Sequence, residues 1–208
     1  MPKECATVVD ASPYRSPFEG HALGERPALD GSVGVHISAG LVPQAVLVST
    51  WVSGEAGLQA ALAQLLGQAP PGPTGQIQAT HLGLLMRTGP EEWLLVGDGA
   101  VDPRPALRDA IGADVGGVTD LSHARCRMNL RGTRCLDTLS KLFPLDFRAE
   151  AFPVGELRLS GHHHLPCSLH RRGETEFDLY VFTTYAHDQL GSLLDAALEY
   201  GVNLEGIR

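Results

Sequence analysis

"RTGPEEWLLVG" (residues 87–97) and "RRGETEFDLYVF" (residues 171–182) share one pattern of turn and strand. A shift of 84 positions places Arg87 on Arg171, Gly89 on Gly173, Glu92 on Glu176, Trp93 on Phe177 and Leu95 on Leu179. Each stretch passes from an arginine through a turn glycine into an apolar run, which is the signature of a hairpin. The same shift carries Ser38 of "GVHIS" onto Ser122 of "GVTDLS". Self-similarity at a fixed offset is best explained by duplication of a supersecondary unit.

The flanking patterns fit that unit. In the first half, "VGVHISA" (33–39) and "AVLVSTWV" (45–52) read as strands around a turn at Gly40–Pro43. Leu58, Leu62, Leu65 and Leu66 recur at helical spacing in "EAGLQAALAQLLG", with Gly67 placed to cap the helix in the left-handed region. "IQATHLGLLMR" (77–87) and "EEWLLVG" (91–97) follow as strands. A short helix then opens at Asp102–Pro103 and closes at Gly112. The second half repeats the order. "GGVTDLSH" and "ARCRMNLRG" are strands, and "TRCLDTLSKLF" is a helix stopped by Pro144. "GELRLSGHH", "HLPCSLHR" and "EFDLYVF" are strands, before a last helix with Leu190, Leu193, Leu194, Ala197 and Leu198 on one face. The expected fold is α+β: duplicated strand–strand–helix–strand–strand–helix units, with mostly antiparallel sheets and helices packed on one face. The halves span residues 33–113 and 114–208. Residues 1–32, with Pro2, Pro13, Pro17 and Pro27, read as an irregular N-terminal arm, either a disordered tail or an arm laid across a partner.

Bulk composition narrows the partners. The 208 residues carry a formal charge of −8, so phosphate backbones and anionic membranes are disfavoured. No run approaches the ~20 apolar residues that span a bilayer, and the first residues lack the apolar core of a secretory signal. Cys5, Cys126, Cys135 and Cys167 are dispersed, without a C-x-x-C pair, and fit reduced thiols in a cytoplasmic protein.

Spacing decides which reactive groups could act together. "GHHHLPC" (161–167) raises the question of a metal. On a continuous strand His162 and His164 share one face, while His163 and Cys167 fall on the other. A zinc site needs at least three protein ligands, and His170, His81 or His123 would have to supply the third. His162 and His164 are therefore weak metal candidates, and a polar strand end is the plainer reading. Neither G-x-G-x-x-G, nor G-x-x-x-x-G-K-[ST], nor G-x-S-x-G occurs. Ser122 and His123 are strand neighbours that point apart, and Glu91–Glu92 sits at a turn. Cys126 and Cys135 lie among arginines, yet Cys126 alternates in phase with Met128 and Leu130 as a core residue. The remaining feature is "ARCRMNLRG", where Arg125, Arg127, Asn129 and Arg131 form one cationic face. Guanidinium forks bind carboxylates bidentately, so Arg125, Arg127 and Arg131 are candidates for contact with an acidic partner. The alternative is an edge strand guarded by charge.

Four segments, "GPEEWLLVG" (89–97), "VTDLSHARCRMNLRG" (118–132), "LSKLFPLDFRAEAFPVG" (139–155) and "YAHDQLGSLLDAALEYG" (185–201), resemble the gamma subunit of heterotetrameric sarcosine oxidase. That family is related in structure to the folate-binding aminomethyltransferases. The resemblance implies a non-catalytic subunit that packs against the large alpha subunit, beside beta and delta subunits. It implies a complex that oxidatively demethylates sarcosine or a related N-methyl amine and passes the one-carbon unit to tetrahydrofolate. FAD, FMN, NAD, zinc and tetrahydrofolate would then belong to other subunits. The acidic catalytic segment of the aminomethyltransferases and the K-G-C-Y-type motif of their iron–sulfur repair relatives have no match here. No catalytic or cofactor-binding residue is therefore carried over. Two alternatives are a stand-alone folate-dependent one-carbon transferase and a zinc protein using His162 and His164.

Overall fold

The computed structural model describes residues 16–51 and 54–207. Its strands are β1 (Gly24–Arg26), β2 (Val35–Leu41), β3 (Gln44–Thr50), β4 (Ile77–Thr80), β5 (Gly83–Gly89), β6 (Glu92–Gly97), β7 (Gly116–Asp120), β8 (Arg125–Arg131), β9 (Leu157–His162), β10 (Leu165–Gly173), β11 (Glu176–Phe182) and β12 (Val202–Ile207). The helices are α1 (Glu55–Leu66), α2 (Arg104–Ala110), α3 (Cys135–Leu142) and α4 (Ala186–Ala197). Two sheets form, in the orders β4-β5-β6-β3-β7 and β1-β12-β2-β8-β11-β10-β9. All pairings are antiparallel except β12 with β2.

The duplicated α+β architecture holds, with five strands among the described residues of 33–113 and six among those of 114–208 where the expected unit has four. "IQATHLGLLMR" is two strands, because a tight turn at His81–Leu82 pairs Thr80 with Gly83. The first strand of each unit also crosses over. β2 pairs with β8 of the second unit, and β7 pairs with β3 of the first. Each sheet thus contains a strand from the other half, which ties the halves into one body.

Within the hairpins the repeat is reproduced at the bulge, the arginine Nε and the aromatic ring. The β5–β6 and β10–β11 registers both slip between the arginine and the glycine, at Arg87/Gly89 and at Arg171/Gly173. Arg87 Nε donates to the Gly89 carbonyl at 3.0 Å and Arg171 Nε to that of Gly173 at 3.3 Å. Each guanidinium lies over the aromatic ring of its own hairpin, Trp93 at 4.1 Å and Phe177 at 5.4 Å. Elsewhere the offset drifts. Val48 faces Trp93 and Val118, while Leu130 faces Phe177 and Ile37. Val118 therefore answers to Ile37, and the counterpart of Ser38 is Thr119. Ser122 does other work after β7: its hydroxyl donates to Asp120 at 2.7 Å and accepts the Ala45 N–H at 3.1 Å.

Alternation explains the layers. Buried Val46, Val48, Leu85, Trp93 and Leu95 meet Leu58, Leu62 and Leu66 of α1 and Leu107 of α2. Ile37, Met128, Leu130, Phe177 and Leu179 meet Leu139 of α3 and Leu190, Leu193 and Leu194 of α4. The opposite sheet faces approach each other through Ala45, Met86, Leu94, Val96, Leu157 and Tyr180. Helix, sheet, sheet and helix are stacked in that order. An antiparallel bridge between Gln76 and Glu156 links the units at one end, supported by the Leu157 N–H to Gly75 carbonyl bond of 2.7 Å.

Residues 1–15 of the arm lie outside the described residues. The rest of it folds onto its own chain. Phe18 is fully buried in the α3–α4 cluster, and β1 adds an edge strand to β12. The proline count hid both features, because one anchor residue and three paired residues leave no periodic signal.

Candidate functional site

β8 builds the candidate site from the middle of the larger sheet. Cys126, Met128 and Leu130 are fully buried toward the helices, which turns Arg125, Arg127, Asn129 and Arg131 toward the other face. β8 has β2 on one side and β11 on the other, so the edge-strand alternative fails. β11 contributes Glu176, Asp178, Tyr180 and Phe182 to the same face, opposite Arg131, Asn129, Arg127 and Arg125 in turn.

The three arginines are not equivalent. Arg131 donates to both oxygens of Glu205, at 2.7 and 2.8 Å, and His36 sits 3.1 Å from the same carboxylate. Arg125 stacks on the Phe182 ring at 3.8 Å, and burial lowers its pKa from the usual arginine value. Arg127 is exposed and forms no ion pair among the described residues. Of the three expected contacts to an acidic partner, Arg131 is already neutralised within the chain.

Beside the arginines lies a polar cluster of which the sequence pattern picks out Asn129 and His170 but not Asp178 or Tyr180. Asp178 and His170 are buried and face each other across β10 and β11. Asn129 Nδ2 donates to Asp178 at 2.8 Å and to Glu176 at 3.0 Å, while Arg172 lies 3.6 Å from Asp178. Tyr180 is 3% exposed, and burial raises the pKa of its phenol. The available signal was period two: Glu176, Asp178 and Tyr180 alternate with Phe177, Leu179 and Val181.

The histidine run folds differently from the continuous strand assumed for it. His163 and His164 have φ of 48° and 64° and form the two-residue turn between β9 and β10. Positive φ at both central residues is what a type I′ hairpin requires. The turn separates the candidate pair. His162 is 2% exposed, with Nδ1 at 2.5 Å from Gln189 Oε1 and its ring 5.5 Å from Phe143, whereas His164 is exposed. Among the described residues no group of three or more histidines, cysteines or carboxylates is gathered as a metal site.

These placements predict opposite effects. His162→Ala leaves a cavity and strips Gln189 Oε1 of its partner, and is expected to cost about 2–3 kcal/mol by thermal denaturation. His164→Gly relieves positive φ and is expected to be neutral or slightly stabilising. A shared metal would make both variants lose stability. Burial also lowers the His162 and His170 pKa values below the ordinary 6.5. The unfolded chain then binds more protons below that value, so stability falls as pH drops through it. Thermal midpoints should be level above about pH 7 and fall toward about pH 5, with a shallower fall in His162→Gln.

The cysteines are poorly placed for chemistry. Burial pushes the Cys135 and Cys167 thiols up to about 12 and raises Cys126 as well, which disfavours the reactive thiolate. Cys5 lies outside the described residues. Glu91 lies in the Pro90–Glu91 turn and Glu92 opens β6, so the two do not form a buried acid–base pair.

A family model described as "Sarcosine oxidase, gamma subunit family" matches residues 33–199. The chain is 30% identical to the sarcosine oxidase subunit gamma of Corynebacterium sp. (strain U-96), over 68% of this chain and 69% of that protein. It is 29% identical to the corresponding Arthrobacter subunit, over 72% and 73% of the respective chains. A solved chain of heterotetrameric sarcosine oxidase from Corynebacterium sp. U-96, in complex with pyrrole 2-carboxylate, superposes with a TM-score of 0.72 at 25% identity. That match covers 90% of this chain and 96% of the other. The glycine cleavage system aminomethyltransferase T of Bartonella henselae shares the fold, with a TM-score of 0.61 at 14% identity, over 83% of this chain and 48% of that one. The duplicated hairpins, the cationic strand and the family match covering both halves agree: the chain belongs to the sarcosine oxidase gamma subunit family.

Proposed function

We propose that this protein is the non-catalytic gamma subunit of a heterotetrameric sarcosine oxidase-like complex. The observation that carries the reading is the match to a chain of such a heterotetramer along 96% of that chain's length. The complex would oxidise the N-methyl group of sarcosine or a related amine, with flavin taking the hydride and tetrahydrofolate taking the one-carbon unit. FAD, FMN, NAD, zinc and tetrahydrofolate would reside in the alpha, beta and delta subunits. This chain would supply shaped surface, packing against the alpha subunit and helping to wall the folate-side space in which a reactive intermediate is kept from water. The working compartment would be the cytoplasm.

The described residues support a surface role. Their thiols are buried, no three of their histidines, cysteines or carboxylates are gathered at one point, and Asp178 is held by Asn129 within the sheet. Affinity purification of the tagged chain from its native cells is expected to bring down three further polypeptides and bound flavin. Recovery of the chain alone would overturn the subunit reading. Binding of a tetrahydrofolate analogue by that lone chain would favour the stand-alone transferase.

A further inference from the structure

Arg127 stands between two hollows that flank β8. One is a cleft of about 510 Å³ whose lining includes Pro43, Leu82, Val101, Arg127 and Tyr180. The other, of about 220 Å³, lies against Ser38–Leu41 and shares Arg127 and Pro43. Tyr180 is 3% exposed, and its hydroxyl, which the Arg127 guanidinium approaches as a donor, has no acceptor for its own proton among the described residues. Arg127 is close enough for its charge to oppose the effect of burial on that phenol. Asp98, the cleft's own carboxylate, accepts the Ala100 N–H at 2.9 Å and makes no ion pair with Arg127.

A cation without an anion and a buried hydroxyl without an acceptor thus adjoin one cleft. A carboxylate satisfies both, taking the guanidinium fork and the phenolic proton together. The lip of the cleft indicates what carries it. Val101 is 61% exposed, yet its carbonyl is held by Gln44 Nε2 at 2.8 Å, so the apolar side chain is presented from a fixed backbone. A small free acid would leave that surface in water, whereas a polypeptide would cover it.

We propose that the Arg127–Tyr180 cleft receives an acidic side chain, flanked by apolar residues, from a neighbouring subunit. The assignment rests on the subunit reading above and gives it a contact point. It is tested by measuring association of the full chain with the other subunits of its complex, after thermal melts confirm that each variant folds. Arg127→Gln should weaken association about 30-fold or more, and Arg127→Glu further, mainly through faster dissociation. Tyr180→Phe should weaken it by a smaller factor. Arg131→Gln, whose guanidinium already has Glu205, should stay within about twofold of wild type.

Association of both Arg127 variants at wild-type strength would overturn the cleft assignment alone. Failure of the wild-type chain to associate would overturn the subunit reading and the cleft assignment with it. Succinate titrated into the isolated chain separates the remaining source. Saturable binding lost in Arg127→Gln would assign the cleft to a free acid and overturn the polypeptide occupant. No binding is the expected result.

Discussion

Replacing Arg171 with methionine is expected to lower stability by about 3–5 kcal/mol, the cost of removing one partner from a buried charged network. The guanidinium is 4% exposed and serves four carbonyls: Phe147 at 2.9 Å, Phe152 at 2.7 Å, Glu174 at 3.1 Å and Gly173 at 3.3 Å. It has no carboxylate partner among the described residues. Its role is to fasten the Phe147–Phe152 segment and the β10–β11 turn to one point. Methionine keeps much of the stem but leaves those carbonyls without a donor. For a chain of this size, with about 2–4 °C per kcal/mol, the melting midpoint should fall by about 6–20 °C. Arg171→Lys should rescue only part of the loss, because an ammonium group cannot span a fork of acceptors. A loss below about 1 kcal/mol for the methionine variant would contradict the role given to this side chain.

Trp93→Ala should cost about 3–5 kcal/mol, since it empties a fully buried site at the centre of the first core. The indole N–H also donates to the Pro71 carbonyl at 3.1 Å, so truncation removes that bond and the ring beneath Arg87. Trp93→Phe is the informative companion, because it installs the residue that the second unit carries at Phe177. A loss of only about 1–2 kcal/mol is expected, from the smaller ring and the missing indole bond. Denaturant unfolding of both variants measures the difference. Equal losses would mean that the two hairpins do not share one packing plan.

Those residues were legible because the repeat is local. Arginine, turn glycine and aromatic lie within seven positions, and the hairpin brings them together without reference to the rest of the chain. The strand exchange was not legible. Which partner β2 and β7 choose depends on contacts in the other half of the chain, such as Ile37 with Leu130 and Val48 with Val118, that no local pattern announces. The histidine pair misled for a different reason. Positive φ is uncommon for a non-glycine residue, so nothing in "GHHHLPC" announced a turn at His163–His164. Alternation correctly gave β8 one packed and one cationic face. It could not show that Glu205 and Phe182 engage two of the arginines and leave Arg127 open.

Turnover assayed side by side with the isolated chain and with the assembled complex tests the division of labour most directly. Both would be supplied with sarcosine, tetrahydrofolate and an electron-accepting dye at matched concentration. Dye reduction by the complex, and none by this chain alone, is the predicted result. Amine-dependent reduction by the purified chain would place reacting groups within it and contradict its assignment as a surface-forming subunit.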